Sequence, residues 1–387
     1  MPVVVAGKPY IVATKPGVFA HGHHDPAQVL LVEHAQVQAG DLVVHMNCGN
    51  GLFGAATASM GLAARVVLTD RNIISVEAAR RTIVANGVTD ADVRLGHGAY
   101  ALPADLRADV VAIRIPHEKL ALLQLLADAF RILHVGGHCY VAGANNEGAK
   151  SAAKALERLF GNAGVTAVDS GHRIVVATKQ SETMGDATEF SSPFLDSETF
   201  NQLPVTLRGA PYTLYSRPGV FSWDHADEAT ELLANVMQVQ PGDSVLDLGC
   251  GVGALGVVAG TLSVNGRVCM VDADVEAVRC ATRTAERSGL TDFQVLSSDV
   301  ASAVINERFD VVVTNPPFHV GKATDLSVPK QFIHDAWEVL VPGGRLFLVA
   351  NRTLPYERMV QQRFGNLTTA HDGQRFKVLS GTKAWRL

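Results

Sequence analysis

The chain is written twice, and this fact constrains its fold more than any other. Gly7-Lys-Pro-Tyr10 returns as Gly209-Ala-Pro-Tyr212, and Pro16-Gly-Val-Phe19 returns as Pro218-Gly-Val-Phe221. Gln36-Val-Gln-Ala-Gly-Asp41 returns as Gln238-Val-Gln-Pro-Gly-Asp243, Asn47-Cys-Gly-Asn-Gly51 as Gly249-Cys-Gly-Val-Gly253, and Asp70 as Asp272. The offset holds at 202 across more than sixty positions. A constant offset over that span is duplication, and two copies of about 180 residues make two domains, not a solenoid. The expected division is a first domain over 1–179, a linker over 180–204 and a second domain over 205–387. The linker is assigned from the run of Ser, Thr, Glu, Asp and Gly between Gln180 and Ser192.

Within each copy, short apolar runs alternate with helical periodicity. Strands are expected near 42–46, 65–69, 93–96, 109–114 and 137–143 in the first copy. The second has them near 244–248, 267–271, 293–297, 309–314 and 343–350. Helices are expected near 73–86 and 119–133, then near 253–264, 274–288 and 328–340. Alternating βα units imply an α/β fold, a mostly parallel sheet with helices on both faces. Each copy should close with an antiparallel hairpin, 165–169 with 173–178 and 367–371 with 375–380.

The 387 residues are 47% hydrophobic and 18% charged, with a net charge of −5. This is a folding composition, and it excludes a surface coated in basic residues for generic nucleic-acid binding. The five cysteines are scattered and form no C-x-x-C pair, which points to reduced thiols and a cytoplasmic location. The first residues lack the pattern of a signal peptide, and no stretch is long and apolar enough for a membrane span.

The chemistry gathers in the second copy. Val245-Leu-Asp247-Leu-Gly249-Cys-Gly251-Val-Gly253-Ala-Leu-Gly256 is a strand running into a glycine-rich turn and a helix. Glycines allow positive φ and close approach of a ligand to the backbone. The spacing Gly251-x-Gly253-x-x-Gly256 also fits a dinucleotide fingerprint. Asp247 speaks for another ligand, because a carboxylate there suits a cationic amino group and repels a pyrophosphate. Asp272 ends the second strand, where it suits a ribose diol or caps the following helix. Asp299 follows the third strand, where it faces an adenine amine or simply makes a turn. The fourth strand, Asp310-Val-Val-Val-Thr, runs into Asn315-Pro316-Pro317-Phe318. Two prolines stop the strand and stiffen the corner. There the Asn315 and Pro316 carbonyls can accept from an exocyclic amine, and Phe318 offers a ring to stack on.

Together, three acidic strand ends, the glycine turn and Asn-Pro-Pro-Phe resemble the class I S-adenosylmethionine-dependent methyltransferases. The runs Asn315-Pro-Pro-Phe-His-Val-Gly321, Val349-Ala-Asn-Arg-Thr-Leu-Pro-Tyr356, Phe364-Gly365 and Arg375-Phe-Lys-Val378 narrow this. They are similar to the RsmC-like ribosomal RNA (guanine-N2)-methyltransferase family. The resemblance implies two tandem Rossmann-like methyltransferase domains with only the C-terminal one active. It implies S-adenosyl-L-methionine as cofactor and a guanine amine of ribosomal RNA, in the 16S chain of the small subunit, as substrate. Carried over, Asp247, Gly249, Gly251 and Gly253 line the methionine side, Asp272 takes the ribose and Asp299 the adenine. Asn315, Pro316, Pro317 and Phe318 hold the guanine, with Asn315 also reaching the cofactor. The partner is ribosomal RNA or a ribosomal subunit, with no membrane, and the duplicated chain is expected to be a monomer.

The first copy keeps the turn glycines Gly49, Gly51 and Gly54 and the acidic Asp70, but loses the reactive groups. Asp247 is replaced by His45, Gly249 by Asn47, Asp299 by His97, and Asn315 to Phe318 by Arg114-Ile-Pro-His117. A supporting, non-catalytic domain that binds RNA is the expectation. His21-Gly-His23-His24-Asp25 reads as a polar loop and not a metal site, for lack of a partner cluster. Phe221 reads as a buried aromatic. Competing readings are methyl transfer to adenine N6, to a protein glutamine or to a large-subunit rRNA guanine. A nicotinamide-dependent dehydrogenase and a non-catalytic RNA-binding assembly factor complete the alternatives.

Overall fold

The computed structural model describes residues 1–61, 63, 65–185, 188–317 and 326–385. They form two compact units, Met1–Thr199 and Phe200–Leu387. The boundary falls inside the stretch expected as a linker, and most of that stretch belongs to the first unit. Phe190 and Leu195 pack on its core, and the Gly185 N–H donates to the Leu159 carbonyl at 2.9 Å. Polar composition marked the segment as surface chain; two apolar anchors fasten it down.

The first unit comprises β1 (Pro2–Val5), β2 (Lys8–Ile11), α1 (Pro26–His34), β3 (Leu42–Met46), α2 (Leu52–Ser59), β4 (Arg65–Asp70), α3 (Ile73–Ala85) and β5 (Ala91–Leu95). It continues through β6 (Ala108–Arg114), α4 (Lys119–Ile132), β7 (Leu133–Ala144), α5 (Ala149–Phe160), β8 (Gly164–Asp169) and β9 (His172–Thr178). The second repeats the order: β10 (Asn201–Leu207), β11 (Ala210–Ser216), α6 (Glu228–Val236), β12 (Val245–Leu248), α7 (Ala254–Leu262), β13 (Val268–Asp272), α8 (Val275–Arg287) and β14 (Phe293–Ser297). Then come β15 (Phe309–Thr314), α9 (Ser327–Val339), β16 (Leu340–Asn351), α10 (Tyr356–Phe364), β17 (Thr368–Asp372) and β18 (Phe376–Thr382). Every expected strand and helix is present within a few residues.

Each unit has a seven-stranded sheet, ordered β5-β4-β3-β6-β7-β9-β8 and β14-β13-β12-β15-β16-β18-β17. Five strands run parallel, and the closing hairpin is antiparallel. In the second unit α6, α7 and α8 cover one face and α9 and α10 the other, each over its own apolar cluster. That two-sided cover explains the continuous apolar strands: in β15 every residue but Asp310 is buried. Asp310 accepts from the Ser244 N–H at 2.9 Å, as Asp109 does from the Leu42 N–H at 2.8 Å in the first unit.

A small hairpin precedes each sheet, and the sequence reading missed both. Its signal was the repeated glycine. Ala6-Gly7 and Arg208-Gly209 are two-residue turns with all four φ positive, 50°, 75°, 51° and 75°, the handed turn that matches strand twist. The long β7 and β16 begin directly where α4 and α9 end, so these helices hand over to strand without a loop.

Candidate functional site

Four neighbouring strands bring the predicted residues of the second unit to one edge. In the order β14-β13-β12-β15, their carboxyl ends carry Asp299, Asp272, the glycine turn and Asn315. The edge is laced by short bonds. The Gly249 N–H donates to the Val271 carbonyl at 2.9 Å, and the Ser298 N–H to the Asp272 carbonyl at 2.8 Å. The Thr314 hydroxyl donates to the Leu248 carbonyl at 2.6 Å.

The glycines of the turn differ in purpose. Gly249, Gly251 and Gly253 all have positive φ, 76°, 53° and 81°, so all three require the left-handed freedom of glycine. A Cβ on Gly249 would stand 2.9 Å from Phe332 of α9. One on Gly253 would stand 3.1 Å from Ala281 of α8, and one on Gly256 2.4 Å from the Met270 sulfur. These glycines let the sheet and helices close. At Gly251 a Cβ would meet nothing within 4 Å. That peptide faces open space, and it is the place where a ligand can lie on the backbone.

Asp247 lies under this turn, fully buried. Its Oδ2 accepts from the Gly256 N–H at 2.8 Å, at the start of α7. Its Oδ1 has no hydrogen-bond partner among the described residues. Burial pushes the carboxyl up to about 7, opposed by the Gly256 bond and reinforced by the Asp272 carboxylate. A buried carboxylate with one unanswered oxygen favours a donor or a cation beside it.

Asp272 does not cap α8; Asp274 does, accepting from the Glu276 N–H. The two oxygens of Asp272 accept from the Gly251 N–H at 2.8 Å and the Asp274 N–H at 2.9 Å. The carboxylate thus ties the open glycine to the end of the second strand. Asp299 stands half-buried just beyond β14, its carbonyl accepting from the Ser302 N–H.

At the fourth strand end, Asn315 is held by residues that the sequence reading did not single out. Its Nδ2 donates to Asp227 Oδ2 at 2.9 Å and to Thr230 Oγ1 at 3.0 Å. Asp227 is the N-cap of α6, and its Oδ2 also accepts from the Thr230 N–H and hydroxyl, both at 2.8 Å. A carboxylate only accepts, so the amide nitrogen must face it. Both amide hydrogens are committed to this clamp, which turns the Asn315 carbonyl away from it. Pro316 is buried and Pro317 exposed. Phe318, expected to stack on the target ring, lies outside the described residues. Phe221 corrects its expectation: it is 63% exposed, not buried.

The same positions in the first unit are filled. Asp25, the counterpart of Asp227, caps α1 but pairs at 3.3 Å with the buried Arg114, which stands where Asn315 does. Arg114 also pairs with Glu147 at 2.8 Å and lies 3.7 Å over the Phe19 ring. Gln28, the counterpart of Thr230, reaches over the glycine turn, donating to Asn50 Oδ1 at 3.0 Å and accepting from the Phe53 N–H at 3.2 Å. Its amide nitrogen lies 3.2 Å from where a Gly49 Cβ would be, so the space open at Gly251 is occupied here. His45 is buried with neither ring nitrogen bonded, edge-on to Phe53 at 5.1 Å. Burial lowers its pKa to about 3. It packs as a neutral ring where the second unit has a carboxylate. Asp70 still accepts from the Gly49 N–H, so the backbone plan survives its chemistry. In the polar loop, Asp25 is thus an N-cap and ion-pair residue, and His21 contacts Thr14 at 3.1 Å.

Known proteins fit this plan. The methyltransferase small domain family matches residues 9–176 and again 211–380. Ribosomal RNA small subunit methyltransferase C of Hahella chejuensis is 34% identical over 280 residues, 72% of this chain and 78% of that protein. The protein of that name from Mannheimia succiniciproducens is 35% identical over 259 residues, 67% of this chain and 73% of that one. Among solved structures, the T. thermophilus 16S rRNA N2 G1207 methyltransferase (RsmC), in complex with AdoMet and guanosine, superposes with a TM-score of 0.81. It is 30% identical, covering 99% of this chain and 97% of that one. With both halves matched and the relatives covered over most of their length, the chain belongs to the ribosomal RNA small subunit methyltransferase C family.

Proposed function

We propose that the second unit transfers a methyl group from S-adenosylmethionine to the exocyclic N2 amine of a guanine in 16S ribosomal RNA, and that the first unit transfers none. The observation that carries this reading is the clamp of Asp227 and Thr230 on Asn315, beside the open glycine turn. The residues fit the cofactor on their own geometry. Gly251 leaves room on the backbone, and Asp247 keeps an unanswered buried oxygen beneath the turn. Asp272 and Asp299 stand at the next two strand ends. In this reading Gly249, Gly251, Gly253 and Asp247 hold the methionine side, Asp272 the ribose and Asp299 the adenine.

Bound there, S-adenosylmethionine supplies a sulfonium methyl as electrophile. The protein's task is to present the nitrogen. A guanine N2 lone pair is delocalised into the ring and points nowhere useful. The Asn315 carbonyl and the Pro316 carbonyl accept its two hydrogens, which turns the lone pair toward the methyl. Fixing that geometry supplies much of the rate enhancement. Pro317 stiffens the corner, and Phe318 stacks on a base taken out of its helix. The mechanism requires no strong base, because the nitrogen becomes acidic once it carries the methyl and its proton then passes to solvent. In the first unit, Gln28, Arg114 and His45 occupy the corresponding spaces, which supports a structural or RNA-binding role. The five buried free cysteines suit a cytoplasmic protein. A duplicated chain that contains its own pseudo-partner suits a monomer. Among the described residues no helix is long and apolar enough to cross a membrane.

Calorimetric titration with S-adenosylmethionine, paired with methylation of 16S RNA, tests this. One site per chain, lost in Asp247→Ala, is the expected result, with label appearing at guanine N2. Two sites per chain would refute the assignment of the first unit. Label on adenine or on protein would refute the substrate.

A further inference from the structure

Between α9 and α10 the second unit carries an open groove of about 470 Å³. Its walls hold Lys330 and His334, one turn apart on α9, and Arg358 and Gln362, one turn apart on α10; Ile333 and Met359 form its apolar part. Lys330, His334, Arg358 and Gln362 are all exposed. Neither Lys330 nor Arg358 has an ion-pair partner among the described residues, and among these no carboxylate lines the groove itself, although Arg363 on its wall is paired with Glu338. One end is formed by Leu326 and Pro355, the N-caps of the two helices. Both helices start at the carboxyl edge of the sheet: α10 follows β16, which is the direct parallel neighbour of β15. That is the edge at which β15 runs into Asn315.

In the duplicate, the unit's own chain covers part of the corresponding groove. Between α4 and α5 the corresponding space measures only about 190 Å³. The unit's own segment 188–195 lies there, with Phe190 and Leu195 packed on the core and Glu189 paired to Arg158 at 3.3 Å. The first unit therefore supplies apolar cover and a counter-charge for Arg158, with Lys119 and Lys154 also on its walls. In the second unit no segment of the chain covers the groove among the described residues; Glu338 answers Arg363 and stands 3.9 Å from His334, while Lys330 and Arg358 face each other across the cleft without such a partner.

We infer that the groove between α9 and α10 binds the sugar-phosphate backbone of single-stranded RNA flanking the target guanine, with Lys330 and Arg358 as its phosphate contacts. This rests on the RNA substrate proposed above. Unpaired cations on facing walls suit phosphates, and the apolar floor suits an unstacked base or ribose. From Leu326 to His334 the wall is roughly 12 Å long at 1.5 Å per helical residue, enough for about three nucleotides at roughly 3.4 Å per phosphate along one strand. The groove thus begins where the methylated base must leave its neighbours.

The test compares wild type with Lys330→Glu, Arg358→Glu and the double variant in the full chain. The probe is a short single-stranded RNA carrying one guanine, read by fluorescence anisotropy over a salt series. All four positions of the groove wall are on the surface, and S-adenosylmethionine titration of each variant checks that the pocket is intact. The expected result is RNA affinity lowered on the order of tenfold or more in the double variant, with a shallower salt dependence and cofactor affinity unchanged. Conservative Lys330→Arg should bind as wild type. RNA affinity and salt slope equal to wild type in the double variant would overturn the inference while leaving the methylation reading standing. A wild type that methylates no RNA at all would overturn both. Saturable binding of a synthetic peptide of residues 188–195, lost in the double variant while RNA binding is kept, would replace RNA with a peptide as the occupant.

Discussion

Asn315 has two amide hydrogens, and Asp227 and Thr230 take both. The consequence is testable at the level of single side chains. Asn315→Ala should lower kcat by about 100-fold, on the scale of removing one preorganised polar group from a catalytic site, with little change in S-adenosylmethionine affinity. Asp227→Ala should cost about 1 kcal/mol of stability as a lost N-cap and lower kcat by roughly tenfold through a freed amide. A full-rate Asp227→Ala enzyme would show that Asn315 is held by something else. Asp247 makes a second prediction, through its titration. Its folded pKa is raised to about 7 by burial, above an unfolded value near 4. The carboxyl therefore detracts nothing below pH 4, and its penalty grows as pH rises to 7. Asp247→Asn, which can still accept from Gly256, should gain stability relative to wild type across that window, on the order of a few kcal/mol by pH 7 in the absence of cofactor. Denaturant unfolding at pH 4 and pH 7 measures it, and an equal difference at both would mean the carboxyl is not buried as seen.

The glycine turn is an element whose members do separate work, and substitution should divide them. Gly251→Ala carries the cost of a left-handed alanine, about 1–2 kcal/mol, but meets no neighbour. Its main effect should be a loss of S-adenosylmethionine binding of at least tenfold in a folded protein. Gly253→Ala carries the same backbone cost and also presses on Ala281, adding about 1–3 kcal/mol of overpacking. Thermal melts paired with calorimetry distinguish the two; equal destabilisation would deny Gly251 its special exposure. At this scale most of the fold was legible. Buried parallel strands read as unbroken apolar runs such as Val311-Val312-Val313, and helices showed their own period. The leading hairpins escaped because β10 is half-buried with alternating exposure and contains Pro204. The segment 188–195 escaped because its polar composition concealed the anchors Phe190 and Leu195.

Across the whole molecule, the two units bury a base and an acid at one equivalent position, His45 and Asp247, and their stabilities should respond oppositely to acid. His45 in the first unit has its pKa lowered to about 3 by burial. Its unfolded value is about 6.5, so its stability is complete above that pH and is lost as pH falls toward 3. The Asp247 penalty in the second unit lifts over the overlapping range from 7 to 4. Each unit has its own core, so calorimetry should resolve two transitions. Between pH 6.5 and 4, His45→Leu should flatten the descent of the first transition and leave the second unmoved. A first transition that falls equally in the variant would show that His45 is not the group responsible.

The sequence alone determined the duplication, the two βα sheets, the glycine turn and the Asn-Pro-Pro corner, because each is local. A repeat, a period or a stiff dipeptide is carried by neighbouring residues. It also identified the substitutions that strip the first copy. It did not reveal what those substitutions build. That Asp227 reaches Asn315 across 88 positions, that Gln28 covers the first glycine turn, and that Arg114 closes the first corner are facts of packing. Sequence separation hides such pairs, since nothing local distinguishes an N-cap that holds only its own helix from one that also orients an active-site amide. The tertiary structure decided them by bringing α1 and α6 over the carboxyl ends of strands far away in the chain.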